Sequence, residues 1–314
     1  MLDSKLYTNI MILGMAYQKG FLPLTLESIE KAIELTIKHD LQRNLRAFNI
    51  GRLIAVRPDL FTVHLKHEYE SSRQCLRHKL NTIRASHRGK RGNRLAKQFR
   101  ILMKQTFRAT RGSCVPDPLI RDVVIRAYDC LTWGGMAYAK RYCHRLVDVF
   151  EKDDAKKDYR ITRAVVWNLA KVMLIKDEFY VAALLTSPEK YKRDRKRFNV
   201  NHNNGDRIIY RHHNRPEIIL FGHKFGFEWK SRDWQLRLMA AARPLRDLVY
   251  HILPHKGEVV FRDWYEDLVD RFEYVGNKDY ERWLAILSTP ETVTGYREIR
   301  HPKMEAARQR GDEL

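Results

Sequence analysis

The chain has 314 residues, of which 44% are hydrophobic and 11% aromatic, a composition that is typical of globular proteins and excludes a disordered one. Its 59 Lys and Arg against 38 Asp and Glu give a net charge of +21, which favours anionic partners. No run approaches the roughly 18 apolar residues of a membrane-spanning helix, and no apolar signal core opens the chain. We therefore expect no membrane partner and a cytoplasmic location.

The cysteines are Cys75, Cys114, Cys130 and Cys143, and no two have the close spacing of a zinc knuckle or an iron–sulfur loop. We interpret them as buried free thiols in a reducing compartment. A disulfide pair is the alternative that the sequence leaves open.

Two helices are predicted near the N-terminus. Thr25 is a good N-cap, Glu27 follows in the first turn, and apolar residues recur at helical spacing as far as Ile37. A shorter helix is expected around Arg43–Val56 and ends near Pro58.

Between Ser71 and Pro116 there are thirteen Lys and Arg and not one Asp or Glu. Apolar residues recur at helical spacing on both sides of the turn-prone stretch 86–93, so we predict a basic helical hairpin at about 71–116. The apolar faces consist of Leu76, Leu80 and Ile83 in the first helix and of Leu95, Phe99, Leu102, Met103 and Thr106 in the second.

This hairpin is the strongest candidate for a binding surface, because cations at such density bind phosphates or an acidic protein. Its aromatic residues, Phe99 and Phe107, both lie on the apolar stripe, so it offers no stacking platform for single strands. We therefore favour docking onto an acidic partner over binding to nucleic acid. The candidate anion-binding or docking residues are Arg88, Lys90, Arg91, Arg94 and Lys97.

Long helices are predicted in the middle of the chain. Apolar residues recur at helical spacing over 118–150, and Gly134-Gly135 predicts a kink or a close helix contact there. Another long helix is expected from Thr162 to about Leu185 and is closed by Pro188.

The region 205–230 differs, because β-rich runs alternate with Asn, Gly and Pro and predict a small antiparallel β-hairpin. Histidines and acids crowd around it: His202, Asp206, His212, His213, Glu217 and His223. Their spacing matches no known metal-ligand pattern, and the arginines between them would repel a cation. A solvated hairpin is favoured, followed by a site for phosphate or carboxylate at Arg207, Arg211, His212 and His213.

Helices resume at Trp234–Leu253, Phe261–Tyr274 and Asp279–Leu287, before a basic tail. The adjacent acids Asp177-Glu178 and Glu266-Asp267 would point in different directions on a helix, so we interpret them as solvated ion-pair partners. The sequence therefore predicts a mainly α protein, a helical domain with a small antiparallel β-hairpin region near 205–230. It predicts no catalytic, cofactor-binding or metal-ligating residue.

The opening of the chain carries a specific motif: Asn9, Leu13-Gly14, Ala16-Tyr17-Gln18-Lys19-Gly20 and Pro23-Leu24, followed by the capped helix Leu26–Leu35. It resembles the end of the gamma-type domain in indolepyruvate ferredoxin oxidoreductases of the long, fused kind. Weaker blocks continue the resemblance in the same order at Asn44–Phe48, Ala137–Val147, Asn168–Ala182 and Leu287–Lys303.

The resemblance implies that residues 1–40 are the residual C-terminal strip of that gamma-type domain and that residues 41–314 are the family's helical C-terminal extension domain. The family oxidises aryl 2-oxo acids with coenzyme A, using thiamine diphosphate, magnesium and iron–sulfur clusters. The thiamine-binding Gly-Asp-Gly segment and the clustered cysteine ligands are missing from this sequence, so no cofactor is expected in this chain.

We therefore expect a C-terminal fragment or split subunit that acts as a structural docking module. Its expected partner is the catalytic domains or subunit of the parent oxidoreductase. A basic nucleic-acid-binding protein derived from that module is the alternative, and whether the chain takes part in an enzyme stays open.

Overall fold

A computed structural model of the chain describes residues 7–37, 40–58, 71–87, 89–110, 115–214, 217–220, 223–226, 228–246, 255–295 and 299–313. These residues form thirteen α-helices and four short strands, which confirms the predicted mainly α protein with a small antiparallel hairpin. None of the described helices is both long and apolar enough to cross a membrane. The chain divides into two compact units, Met1–Glu68 and Tyr69–Leu314.

The first unit contains α1 (Thr8–Gln18), α2 (Leu26–Thr36) and α3 (Leu41–Val56). Thr25 caps α2 as predicted, because its hydroxyl accepts a hydrogen bond from the Ser28 backbone N–H at 3.2 Å. Helices α1 and α3 pack so closely that their backbones are in contact. A Cβ added to Gly51 of α3 would lie 1.9 Å from the carbonyl oxygen of Met11 in α1. Because α3 packs on α1, the opening strip and the residues after 40 belong to one compact unit.

The second unit is built around α6 (Asp117–Lys152), against which α4 (Ser72–Ser86), α5 (Lys90–Thr106) and α7 (Arg160–Met173) pack. Helices α4 and α5 form the predicted basic hairpin. The predicted apolar face of α5 is buried at Phe99, Leu102, Met103 and Thr106, and half-buried at Leu95. Helix α6 kinks at Gly135, whose φ of 79° and ψ of −168° are available to glycine almost alone.

Three cysteines, Cys75, Cys130 and Cys143, are buried free thiols, as predicted. Burial raises the pKa of Cys143 to about 12 and that of Cys130 well above its usual range, so both stay protonated. Cys114 lies outside the described residues.

The predicted helix from Thr162 to Leu185 is wrong as a single element, because it consists of α7 and α8 (Glu178–Leu185). Asp177 separates them. Its carboxylate accepts a hydrogen bond from the Tyr180 backbone N–H at 2.7 Å and so caps a new helix.

Pro188 begins a helix where it was expected only to end one. Helix α9 (Pro188–Arg197) has this proline in its first turn, where the missing N–H costs no helical hydrogen bond. The predicted helix Trp234–Leu253 is α10 (Asp233–Ala241), followed by a 3₁₀ turn at Arg243–Leu245. Residues 247–254 lie outside the described part of the chain.

The β-region is one antiparallel hairpin made of two ladders. Strand β1 (Arg211–Asn214) pairs with β4 (Trp229–Arg232), and β2 (Glu217–Leu220) pairs with β3 (His223–Gly226). Arg211 is opposite Arg232 in the first ladder. Glu217, six residues later, is opposite Gly226, six residues earlier, so the two ladders follow the same pairing register.

The last helices are α11 (Lys256–Asp270), α12 (Gly276–Ser288) and α13 (Arg300–Glu313). Helices α11 and α12 both pack against α7, and α13 packs against α11 and α12. Gly311 permits the close approach of α13, since a Cβ there would lie 2.7 Å from the Trp264 ring.

Candidate functional site: a basic surface and a cleft

The outer face of α5 carries a row of exposed cations, which we call the cation row: Lys90, Arg94, Lys97 and Lys104. Because they are three, four and seven residues apart, they align on the side of α5 opposite its buried apolar face. At about 1.5 Å per residue, the row is about 21 Å long. In the described part of the chain, none of the four forms an ion pair with a carboxylate. Ile101, which is 44% exposed, lies in the same row between Lys97 and Lys104.

The other predicted residues of this segment have different surroundings. Arg91 is exposed on the flank of α5, and Arg88 lies outside the described residues. Helix α4 adds three exposed cations on one of its faces: Arg73, Arg77 and Arg84. Lys79, in contrast, is buried, with its ammonium 2.9 Å from the Glu189 carboxylate and 4.4 Å from the centre of the Tyr128 ring.

The Lys79–Glu189 ion pair joins α4 to α9, a basic helix that the sequence reasoning missed because Pro188 was interpreted as a helix end. Its exposed cations are Lys192, Arg193, Arg195, Lys196 and Arg197. The signal was the run of Lys and Arg directly after that proline. Residues 188–232 hold twelve Lys and Arg against five acids, so together with 71–116 they account for twenty of the 21 net positive charges.

The candidate residues at the β-hairpin fall into two groups. Arg207, Arg211 and His213 are exposed. His212 is largely shielded, with Nε2 2.7 Å from Oδ1 of Asp233, whose Oδ2 accepts a hydrogen bond from the Tyr191 hydroxyl at 2.6 Å. His212 therefore anchors the hairpin to α10.

Among the described residues, no group of three or more His, Cys, Asp and Glu is placed to hold a metal ion. The side chains of His202, Glu217 and His223 are not among those described.

A cleft of about 1070 Å³ runs along α7, and residues of α6, α8, α11, α12 and α13 complete its lining. Helix α7 contributes Arg160, Arg163, Trp167 and Lys171. Their spacing of three and four residues places them on one face of the helix. Sequence reasoning did not identify this face, because the residues that enclose it come from distant parts of the chain.

Trp167 is 47% exposed at this cleft, which is high for the largest side chain. The guanidinium of Arg126 lies 4.1 Å from the centre of its ring, within the range of a cation–π interaction. Asp129 holds that guanidinium in place through a hydrogen bond of 2.9 Å. The indole is therefore oriented by its neighbours and still accessible.

Lys171 lies deeper in the cleft and donates hydrogen bonds to the carbonyl oxygens of Pro290 at 2.7 Å and Glu291 at 3.1 Å. Burial, and next the nearby charge of Arg300, lower the pKa of Lys171. Nε of Arg300 lies 3.2 Å from the Glu258 carboxylate. The cleft thus brings like charges close together, an arrangement that a bound anion would stabilise.

Glu258 also connects the cleft to His255, which is only 6% exposed. Its Nδ1 lies 3.1 Å from Glu258, and its Nε2 lies 3.0 Å from Glu178. Burial alone would lower the pKa of His255, but the hydrogen bonds with both carboxylates raise it to about 9. The imidazole is therefore protonated at neutral pH and fixes Glu258 beside Arg300.

Two carboxylates that were predicted to be solvated are buried, so that part of the prediction is wrong. Asp177 is fully buried, with Oδ2 2.7 Å from Nε of Arg246. Glu266 is 2% exposed and forms ion pairs with Arg141 and Arg145. The expected ion pairing is confirmed, and burial is possible because the partners compensate the charges.

The sequence profile of a family of unknown function, DUF6537, matches residues 120–313, more than half of the chain. The matched range contains α7, all of the cleft lining, α9 and the β-hairpin. Helices α4 and α5 and the first unit precede it. The chain matches no curated protein and no solved structure.

Proposed function

We propose that this chain, which belongs to the DUF6537 family, is a docking module without a catalytic centre of its own. The observation that carries the proposal is the cation row on α5, whose charges lack carboxylate partners within the described ranges. A row of unpaired cations on an ordered helix attracts a complementary acidic surface and selects against basic ones.

Ile101 favours a protein as the partner. An exposed isoleucine among cations gains little from a phosphate backbone, whereas it can be buried against the apolar core of a protein interface. The lysines and arginines around it would then form the polar rim of that interface.

The opening motif indicates which protein this partner is. Since it resembles the end of the gamma-type domain in indolepyruvate ferredoxin oxidoreductases, we infer that the chain docks on the catalytic part of a 2-oxo acid:ferredoxin oxidoreductase. Thiamine diphosphate, magnesium and iron–sulfur clusters would belong to that part.

The first unit supports the need for such a partner. Its exposed large apolar side chains are Ile12, Phe21, Leu24, Leu35, Leu53 and Val56. A unit this small has few apolar residues to leave in water, so the exposure of these side chains favours a partner protein that covers some of them.

Co-purification with the catalytic chain tests this function. Arg94→Glu together with Lys97→Glu should reduce the recovered complex about tenfold or more, because the reversed charges repel an acidic surface. Lys140→Glu together with Lys278→Glu is the matched control, since it changes the net charge equally at exposed positions outside the cation row. If the wild-type chains do not co-purify, or if both variants lose the complex equally, the proposal is wrong.

Nucleic-acid binding is the alternative, and one observation favours it. Phe198 is 62% exposed directly after the basic helix α9, and an exposed aromatic ring beside cations is an arrangement that binds single strands. Fluorescence anisotropy with a labelled single-stranded oligonucleotide distinguishes the two functions. Binding that weakens steeply with salt and is lost in Phe198→Ala supports the alternative, and no binding at low salt excludes it.

A further inference from the structure

We infer that the cleft along α7 binds a nucleotide, a ligand that presents both an aromatic ring and an anionic phosphate group. The inference is independent of the docking function, because it concerns α7 and its neighbours and makes no use of α5. It is carried by three features of the cleft: its charge, its accessible indole and its size.

The lining is basic. Six cations face three acids: Arg126, Arg160, Arg163, Lys171, Lys176 and Arg300 against Asp129, Glu258 and Glu291. Lys176 is exposed and forms no ion pair with any described residue. Glu258 is shared between Arg300 and the protonated His255, so it cannot fully neutralise either of them. Arg160 and Arg163 are paired with carboxylates outside the lining, Glu281 at 2.7 Å and Asp158 at 2.9 Å. The cations of the lining that have no carboxylate partner among the described residues are therefore Lys171 and Lys176.

The indole of Trp167 supplies a stacking surface for a base. Arg126 lies over one face of the ring and is itself held by Asp129, so the tryptophan is oriented before a ligand arrives. Lys171 follows Trp167 by four residues on the same face of α7, about 6 Å along the helix axis. Arg163 precedes Trp167 by four residues. A ring stacked on Trp167 thus has a cation one helical turn away in each direction. Lys171 has no carboxylate partner among the described residues, whereas Arg163 is paired with Asp158 at 2.9 Å.

Size distinguishes a nucleotide from a free phosphate. At about 1070 Å³ the cleft is slightly larger than the usual range of small-molecule sites, and one phosphate would leave most of it empty. Its apolar lining, Leu184 and Leu284 included, also suits a ring better than an inorganic ion.

Isothermal titration of the full chain with adenosine diphosphate, adenosine and pyrophosphate tests the inference. We expect adenosine diphosphate to bind with a dissociation constant at least about tenfold lower than either half alone. No binding of adenosine diphosphate at about 1 mM overturns the inference. Equal affinities for adenosine diphosphate and pyrophosphate also overturn it, because the ring then contributes nothing.

Variants locate the site. Trp167→Ala should raise the dissociation constant for adenosine diphosphate about tenfold, and Lys176→Gln about threefold. Trp234→Ala and Lys278→Gln are the controls, since they remove an exposed tryptophan and an exposed cation elsewhere and should leave binding unchanged. Thermal unfolding of each variant shows that the fold is kept. Binding that survives both cleft variants, or is lost equally in the controls, places the ligand elsewhere and overturns the inference.

Discussion

The imidazole Nε2 of His255 lies 3.0 Å from a carboxylate oxygen of Glu178, although 77 residues separate the two in the chain. His255 precedes α11 and Glu178 begins α8, so a single protonated ring ties the starts of two helices together. Both helices contribute residues to the lining of the cleft.

This contact makes the stability of the protein depend on pH. The folded-state pKa of His255, raised to about 9, lies above the unfolded value of 6.5. The stabilisation is therefore fully present below pH 6.5 and is lost as pH rises through about 9, a change of roughly 3 kcal/mol in the free energy of unfolding. Urea denaturation at about pH 6 and about pH 9.5 measures it. In His255→Gln this pH dependence should be largely absent, and an unchanged dependence would contradict the assignment.

Breaking the buried ion pair of Asp177 and Arg246 should be costly. Arg246→Met leaves the Asp177 carboxylate buried without its cation, and we expect the free energy of unfolding to fall by about 3–5 kcal/mol. Asp177→Asn combined with Arg246→Met should lose less, because an asparagine is neutral and still caps α8. Denaturant unfolding measures the stability of both variants. If the double variant is as unstable as Arg246→Met alone, the unpaired charge of Asp177 is not the cause of the lost stability.

Replacing the glycine at the kink of α6 should strain the backbone. Gly135→Ala must hold a left-handed φ of 79° with a Cβ, and we expect a loss of about 1–3 kcal/mol. Gly257→Ala is the matched control, because Gly257 is helical and its Cβ would meet open space. The control should be neutral or more stable by about 0.5–1 kcal/mol. Equal melting temperatures for the two variants would rule out the strain.

The close contact between α1 and α3 predicts the behaviour of the first unit. A Cβ in Gly51→Ala would clash with the Met11 carbonyl at 1.9 Å, so the helices must separate at a cost of about 1–3 kcal/mol. Limited proteolysis should then cleave α1 to α3 faster than in the wild type while α6 stays intact. Gly20→Ala is the comparison, because a Cβ added there meets no atom within 4 Å although Gly20 has a positive φ. It measures the cost of a positive φ without a steric clash.

Elements whose signals are local could be predicted from the sequence. Thr25 caps α2 through a residue three positions away, the kink of α6 lies in its predicted glycine pair, and the buried face of α5 follows from helical spacing. The β-hairpin region is also in its predicted place, because its strands are adjacent in sequence.

Features that depend on distant residues could not be predicted in this way. Asp177 looked like a surface acid because its partner, Arg246, is 69 residues away, and Glu266 is buried against Arg141 from 125 residues away. The cleft has the same origin. The face of Trp167 carries no signal of its own in the sequence, because it becomes part of a cleft only through the packing of α11 and α12 on α7.

The concentration of nearly all net charge in residues 71–116 and 188–232 has a kinetic consequence. The rest of the chain is almost electroneutral, so we expect the long-range attraction to an approaching acidic surface to act mainly on these two segments. At low ionic strength the protein would turn its basic segments toward that surface while still diffusing, which shortens the search for the bound orientation. Salt would then lower the association rate constant more than it raises the dissociation rate constant.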